Sequence, residues 1–185
     1  MTGSRQVTVD TAAGMRALGK RLAGLLRAGD LVILSGALGA GKTTLVQGIG
    51  EGLGVRGPVT SPTFVIARVH PSVSGGPDLV HADAYRLASP AEVDDLDLDE
   101  AMGSSVTVVE WGGGLAEGLA EDRLEVTITP AGDAAGPPGD AAGPTGAVAE
   151  TADERRTVCF AGHGGRWHAV GDSAFLALSC TPEAL

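Results

Sequence analysis

The sequence has few aromatic residues and few cysteines. Two Trp, one Tyr and three Phe make up 3% of its 185 residues, so a core must be built mainly from Val, Leu, Ile and Ala. The two cysteines, Cys159 and Cys180, belong to no CxxC pair and have no histidine at a metal-ligand spacing. We expect two small apolar side chains in a reducing compartment, with neither a disulfide nor a metal site.

Basic residues are also scarce. The chain has 13 Lys and Arg against 23 Asp and Glu, which gives a formal net charge of -10. Proteins that bind nucleic acid by themselves neutralise its phosphates with clustered basic side chains. This balance argues against a chain that binds nucleic acid alone, so any nucleic acid in its function is expected to be held by a partner.

Long apolar runs are missing as well. No stretch approaches the roughly 20 apolar residues of a membrane span, and the first ten residues lack the apolar segment of a signal peptide. We therefore expect a cytoplasmic protein that does not contact a membrane.

The length fits one domain over residues 1–185. Hydrophobic residues make up 43% of the chain, which is enough for a buried core. Composition changes at 130–154, where Ala, Gly, Pro, Asp and Thr dominate. This segment has too little apolar surface to offset the entropy of ordering, so we predict a disordered insertion.

Hydrophobic spacing predicts an α/β fold. The apolar runs 31–34 and 106–109 are typical of strands buried on both faces of a parallel sheet. An apolar helical stripe begins after Asp10 or Thr11 and is expected to end at Gly29, and a second helix is predicted over 42–53. Further predicted elements are strands at 6–10, 63–69, 79–84, 124–129, 157–160 and 166–170, and a short helix from Ser89 to about Leu96.

Residues 36–43 read GALGAGKT and match the P-loop pattern GxxxxGK(S/T) in full. They follow a buried strand and open a helix, so backbone N–H groups and the helix N-terminus would face a phosphate. Lys42 is expected to reach the β- and γ-phosphates, and the Thr43 hydroxyl to bind Mg²⁺. No NKxD element that reads guanine occurs, which favours ATP. The predicted nucleotide-binding residues are Gly36, Leu38, Gly39, Ala40, Gly41, Lys42, Thr43 and Thr44.

Hydrolysis also needs an acid near the metal and the attacking water. Glu110 follows a buried strand and is predicted to lie at the carboxyl edge of the sheet, where ligands bind. We interpret it as a carboxylate that binds the metal directly or through an intervening ligand, rather than a solvated strand end. Asp83 lies near the end of another predicted strand. The local sequence leaves open whether it orients the attacking water, holds the metal through water, or is a capping or surface residue. His81 is interpreted as structural, and Arg86 as a surface ion pair.

A rigid loop follows the P-loop helix. In many P-loop proteins such a segment senses the γ-phosphate, although by itself the local sequence predicts only a turn. Its residues are Ser61, Pro62, Thr63 and Phe64.

Four motifs in this order, GALGAGKTT, SPTF, HADAYRL and VTVVEW, resemble the TsaE family over about residues 5–129. The resemblance implies a P-loop NTPase-like fold, with a central, mainly parallel sheet, flanking helices and antiparallel strands near the C-terminus. It implies an ATPase that uses Mg²⁺ and acts with TsaB and TsaD. That pair transfers a threonylcarbamoyl group to adenosine 37 of tRNA, so tRNA would be met only through the complex.

The resemblance also implies roles for individual residues. Lys42 and Thr43 would bind phosphate and Mg²⁺, Glu110 would be a magnesium ligand, and Asp83 would be an important carboxylate. The expected catalytic residues are therefore Asp83, Lys42 and Glu110. The loop that begins at Ser61 would be switch-like, and Thr11 would lie near the nucleotide base.

Two positions depart from the family pattern. Ala37 stands where the family usually has Asp, and we expect ATP binding to survive because that position does not grip phosphate. Trp111 is followed by three glycines where proline or an acid is more common. Two other functions stay open: a small-molecule kinase, and a nucleotide-gated binding module with negligible turnover.

Overall fold

The computed structural model describes residues 5–63, 66–130 and 155–179. These residues form one sheet of seven strands in the order β1-β7-β6-β2-β5-β4-β3. The strands are β1 (Arg5–Val9), β2 (Leu31–Gly36), β3 (Ala67–His70), β4 (Asp78–Asp83), β5 (Ser105–Glu110), β6 (Arg123–Pro130) and β7 (Arg156–His163).

The centre of the sheet is parallel, and its edges are antiparallel. Strands β6, β2, β5 and β4, which are adjacent in this order, run parallel to one another. Strand β3 pairs antiparallel with β4, and β7 pairs antiparallel with both β6 and β1. The predicted mainly parallel sheet with an antiparallel extension is confirmed. Segment 131–154 lies outside the described residues, and it connects the neighbouring strands β6 and β7.

Helices cover both faces of this sheet. On one face lies a cluster of buried side chains from α1, α2 and α5, and on the other lies a smaller cluster that includes α3 and α4. No helix in the described ranges is long and apolar enough to cross a bilayer. The helices are α1 (Ala12–Ala23), α2 (Lys42–Leu53), α3 (Pro90–Asp94), α4 (Leu98–Met102) and α5 (Gly164–Leu176), with 3-10 turns at Glu117–Leu119 and Ala177–Ser179.

Glycines let α1 and α2 approach very closely. A Cβ atom added to Gly19 would lie 2.2 Å from the Leu45 carbonyl oxygen, and one added to Gly48 would lie 2.1 Å from that of Arg16. Both distances are too short for any side chain. The P-loop helix α2 is therefore fixed against α1, whose N-terminus carries Thr11.

The predicted end of the first helix was wrong. Helix α1 ends at Ala23 and is capped by Gly24, whose N–H donates to the Arg21 and Leu22 carbonyls. Leu26 continues the apolar stripe because the chain stays against the core after the helix ends, and it is 8% exposed. Gly29 instead serves a turn with φ 92°, where its N–H donates to the Ser105 carbonyl.

The predicted strand at 166–170 was also wrong, because this segment belongs to α5. Its apolar residues suit a helix equally well, and Trp167 packs on Phe175 with ring centroids 6.0 Å apart. The Arg166 guanidinium anchors the helix by donating to both Asp30 carboxylate oxygens and to the Leu25 carbonyl.

The strand predicted at 63–69 begins only at Ala67. Ile66 has φ 68°, a left-handed conformation that a β-branched residue rarely adopts and that no strand continues through. Phe64 and Val65 lie outside the described residues.

Candidate nucleotide-binding site

Three glycines shape the loop between β2 and α2. Gly36, Gly39 and Gly41 have φ values of 146°, 77° and 107°, which lie in the region that favours glycine. A Cβ atom on Gly36 would also lie 2.5 Å from the Ile128 carbonyl oxygen. The loop can therefore turn sharply against β6 and direct its backbone into the cleft ahead of α2.

Lys42 folds back over this loop. Its Nζ donates to the carbonyls of Gly36 at 2.8 Å and Ala37 at 2.9 Å, and lies 3.7 Å from the centre of the Trp111 ring. Burial lowers the pKa of Lys42, while the negative charges of Glu110 and Asp83 act in the opposite direction. The ammonium thus lies in a partly desolvated place, where it interacts strongly with any further negative charge.

The departure at Ala37 leaves the contact with Lys42 intact. Ala37 contributes its backbone carbonyl to Nζ, and its own side chain is exposed. An Asp at this position is not needed to hold the lysine.

Glu110 lies at the carboxyl end of β5 and is the centre of a buried hydrogen-bond chain. The Thr43 hydroxyl donates to Oε1 at 2.9 Å and approaches Oε2 at 3.2 Å. From the other side, Nε2 of His81 lies 2.8 Å from Oε1. Glu110 is 3% exposed and His81 is 0% exposed, so the carboxylate depends on these partners for its hydrogen bonds.

Asp83 stands beside Glu110 on the neighbouring strand β4, in direct register. Its Oδ2 accepts from the Thr63 hydroxyl at 2.6 Å and from the Ser61 hydroxyl at 3.3 Å. Its Oδ1 accepts from the Tyr85 backbone N–H at 3.0 Å. Asp83 therefore caps the backbone and lines the pocket next to Glu110.

The loop predicted to be switch-like is tied to Asp83. Ser61 and Thr63 share a hydrogen bond of 2.7 Å in addition to their contacts with the carboxylate. Pro62 is buried and accepts from the Ile66 N–H. Phe64, the fourth predicted residue, lies outside the described residues.

Two adjoining pockets border the P-loop. Thr44, Gly39 and Gly41 line both of them. The first pocket is also lined by Leu38, Lys42, Thr43, Ser61, Thr63, Asp83, Glu110 and Trp111. The second pocket is also lined by Thr11, Ala12, Met15, Ala40 and Arg156.

The oxygen donors at the first pocket suit a hard cation. The Thr43 hydroxyl and the Glu110 carboxylate lie within hydrogen-bond distance of each other, and Asp83 adds a second carboxylate next to them. In the described ranges no group of three or more His, Cys, Asp and Glu side chains forms a complete metal site. This donor set fits Mg²⁺, which keeps several waters and takes other ligands from phosphates.

The glycine run after Trp111 has a packing reason. A Cβ atom on Gly112 would lie 2.9 Å from Val109, and one on Gly113 would lie 2.7 Å from the Ser35 hydroxyl. Trp111 itself has φ 59°. The backbone therefore turns sharply after Glu110 and lays the indole over Lys42.

Sequence reasoning missed His81 and Arg156 as site residues. His81 lies two positions before Asp83 on β4, so strand alternation puts both on one face, and this signal was available. Arg156 begins β7, and no local pattern connects it with a pocket next to Thr11. Only the pairing of β7 with β1 brings it there.

Comparison with known proteins places these features in a family. The sequence model described as threonylcarbamoyl adenosine biosynthesis protein TsaE matches residues 9–135. A Streptomyces coelicolor protein named tRNA threonylcarbamoyladenosine biosynthesis protein TsaE is 58% identical over 88% of this chain and 99% of its own. A Bacillus subtilis protein of the same name is 42% identical over 64% of this chain and 73% of its own.

A solved structure agrees with the sequence relationships. The crystal structure of Bacillus subtilis YdiB matches with a TM-score of 0.67 at 27% identity, covering 97% of this chain and 96% of that chain. The family model spans well over half of the sequence and contains the P-loop, Asp83 and Glu110. The chain therefore belongs to the TsaE family of threonylcarbamoyl adenosine biosynthesis proteins.

Proposed function

We propose that this chain is a Mg²⁺-dependent ATPase that serves tRNA threonylcarbamoyladenosine formation. The observation that carries the proposal is the hydrogen bond between Thr43 of the P-loop and Glu110 of β5. It joins the element that would cradle phosphate to a buried carboxylate at the ligand-binding edge of a parallel sheet.

Phosphate binding follows from the P-loop and Lys42. Backbone N–H groups ahead of α2 and the positive end of the helix favour an anion. The Lys42 ammonium already lies at the loop, where it would neutralise charge on the β- and γ-phosphates. Its loop carbonyl contacts would keep the amine in place while it binds.

Thr43 and Glu110 would hold Mg²⁺ through oxygen atoms. When bound, the ion neutralises the negative charge that phosphate oxygens carry during the reaction. The chain's own contribution is to fix these two oxygens relative to the P-loop, which the Thr43–Glu110 hydrogen bond does directly.

Asp83 would orient the attacking water. Hydrolysis adds the water oxygen to the γ-phosphorus, breaks its bond to the bridging oxygen, and releases ADP and phosphate. One carboxylate oxygen of Asp83 is fixed by Thr63 and the other by the Tyr85 N–H. The carboxylate is thereby held rigidly, and movement of the Ser61–Thr63 pair would change its surroundings.

The second pocket would take the base and sugar of the nucleotide. It lies beyond Thr44 and Gly41, on the side of the P-loop away from Glu110. Thr11 caps α1 there by accepting from the Gly14 N–H, and Arg156 supplies a cation on the opposite wall.

TsaB and TsaD are the proposed partners, and tRNA would be met only through them. The net charge of -10 supports this division, because the chain lacks the excess of basic residues that binding tRNA alone requires. The proposed location is the cytoplasm, where tRNA would be modified.

The test is ATP hydrolysis by the purified chain, alone and with its cognate TsaB and TsaD, at several Mg²⁺ concentrations. We expect ADP and phosphate in equal amounts, a higher rate with the partners, and loss of turnover in Glu110→Ala. Phosphate transferred to an added acceptor would favour a kinase. Tight ATP binding without ADP formation, with and without partners, would favour a binding module.

A further inference from the structure

His81 has no polar partner besides Glu110 among the described residues. Its side chain is fully buried, its Nε2 lies 2.8 Å from Oε1 of Glu110, and its Nδ1 has no hydrogen-bond partner there. A buried polar nitrogen without a hydrogen-bond partner costs stability. An apolar residue would fill the same space in β4 without that penalty.

We propose that His81 is a positioning residue that fixes the Glu110 carboxylate for Mg²⁺ through its Nε2–H. This inference rests on the ATPase function proposed above. Because it is 0% exposed, His81 does not itself line the cleft, and Glu110 is the residue through which it would act on a bound cation.

The two carboxylate oxygens of Glu110 have different hydrogen-bond partners. Oε1 accepts from His81 on one side and from Thr43 on the other. Within the described residues, Oε2 has only the longer contact of 3.2 Å with Thr43, so it keeps more acceptor capacity. His81 thus determines the rotation of the carboxylate, and with it which oxygen is presented to a cation.

The hydrogen bond also fixes the tautomer of the imidazole. An ionised carboxylate only accepts hydrogen bonds, so the proton of a neutral His81 must be on Nε2. Removal of a residue that hydrogen-bonds to a metal ligand typically lowers metal affinity or activity by about 10- to 100-fold.

Two amide substitutions separate positioning from packing. His81→Gln places its side-chain nitrogen near the position of Nε2 and retains a donor to Glu110, whereas His81→Asn places its nitrogen near Nδ1 and loses that donor. His70→Gln is the matched control. His70 is also a buried histidine, 4% exposed, on the neighbouring strand β3, but no hydrogen bond joins it to Glu110.

The measurement is binding of a fluorescent ADP analogue in EDTA and across a Mg²⁺ titration. For His81→Asn we expect an unchanged dissociation constant in EDTA and a half-saturating Mg²⁺ concentration raised about tenfold or more. His81→Gln should stay within about threefold of the wild type, and His70→Gln should match it. In a Glu110→Gln background, His81→Asn should add no further change.

If His81→Asn does not fold, the inference can still be tested by NMR of the His81 imidazole in the wild-type protein. Proton and nitrogen NMR should show a protonated Nε2 on His81 whose resonance moves in Glu110→Gln and on addition of Mg²⁺ and ADP. An Nε2 without a proton, or a resonance insensitive to both changes, would overturn the inference.

The binding data can also overturn it. His81 would be a packing residue only if His81→Asn and the wild type had the same Mg²⁺ dependence. The same conclusion would follow if His81→Asn and His81→Gln lost nucleotide affinity equally and also did so in EDTA. If the wild type itself binds nucleotide without any Mg²⁺ dependence, the proposed function fails and this inference fails with it.

Discussion

The Thr43 hydroxyl and Oε1 of Glu110 lie 2.9 Å apart although 67 positions separate the two residues in sequence. The contact exists because β2 and β5 are parallel neighbours, with Leu34 opposite Glu110. The start of α2 and the end of β5 are therefore brought to the same edge of the sheet. Several expected outcomes depend on this edge.

Replacing Glu110 by Gln should uncouple nucleotide binding from hydrolysis. The amide keeps the shape of the side chain but removes the negative charge that is proposed to bind Mg²⁺. We expect kcat for ATP to fall by about 100-fold or more, with ADP affinity in EDTA unchanged. Steady-state phosphate release and EDTA binding measure the two effects. Wild-type turnover in this variant would remove Glu110 from the metal site.

Asp83→Asn should reduce the rate of ATP hydrolysis while leaving the dissociation constant for ATP within about threefold of the wild-type value. Loss of a positioned carboxylate that interacts with the attacking water typically costs 10²- to 10⁴-fold, so we expect about 100-fold. Asp78→Asn is the matched control, since Asp78 begins the same strand and accepts from the Ser72 N–H far from the cleft. Single-turnover rates with saturating ATP distinguish them. An unaffected rate in Asp83→Asn would favour a binding module or a purely structural Asp83.

Arg156→Ala should weaken ATP and ADP binding about tenfold through loss of a cation next to the base and sugar. Arg155→Ala is the control, because Arg155 is 58% exposed and forms an ion pair of 3.4 Å with exposed Asp10. Calorimetric titration of both variants measures the effect. Equal affinities in the two variants would place the base elsewhere than in the pocket between Thr11 and Arg156.

Gly48→Ala should destabilise the fold. The added methyl would lie 2.1 Å from the Arg16 carbonyl oxygen, which forces α1 and α2 apart. Overpacking of this kind costs about 1–3 kcal/mol, and we expect the upper end because the obstacle is backbone. Gly165→Ala, whose Cβ would meet nothing within 4 Å, should be neutral. Urea unfolding compares them, and equal midpoints would contradict the close packing.

His70 predicts a loss of stability in acid. Burial, the neighbouring His81 and Arg68 all lower the pKa of His70 below 6.5. Its imidazole is neutral in the folded chain while the unfolded chain takes up a proton near pH 6.5. Stability from this residue is therefore present above 6.5 and declines as the pH falls from 6.5 to the folded pKa. Unfolding free energies of His70→Gln should show a smaller decline over that range, and parallel curves would contradict the prediction.

The local sequence was sufficient to predict those helices and strands whose bounds are set by neighbouring residues. Helix α2 has the predicted bounds because Gly41 and Gly54 flank it in left-handed conformations. Ser89 begins α3 with its side chain accepting from the Glu92 N–H, as a capping serine does. The loop glycines and buried strands likewise follow from composition and spacing alone.

The spacing of apolar residues did not predict secondary structure correctly where residues outside a helix also pack on the core. Leu26 continued the stripe of α1 although the helix had already ended at Ala23, because loop residues also pack on the core. The apolar positions around Trp167 are compatible with the two-residue period of a strand and with the 3.6-residue period of a helix. The helix in this segment is stabilised by Arg166 reaching Asp30 across the fold.

The sequence by itself determined a glycine-rich loop of the P-loop pattern, its lysine and hydroxyl, and two acids at strand ends, because each depends on residues adjacent in the chain. Only the tertiary structure decided that Glu110 lies between Thr43 and His81, and that Arg156 and Thr11 line the same pocket. Those contacts depend on strand order and register, which set the distances between residues far apart in sequence. Spacing along one strand cannot specify the strand beside it.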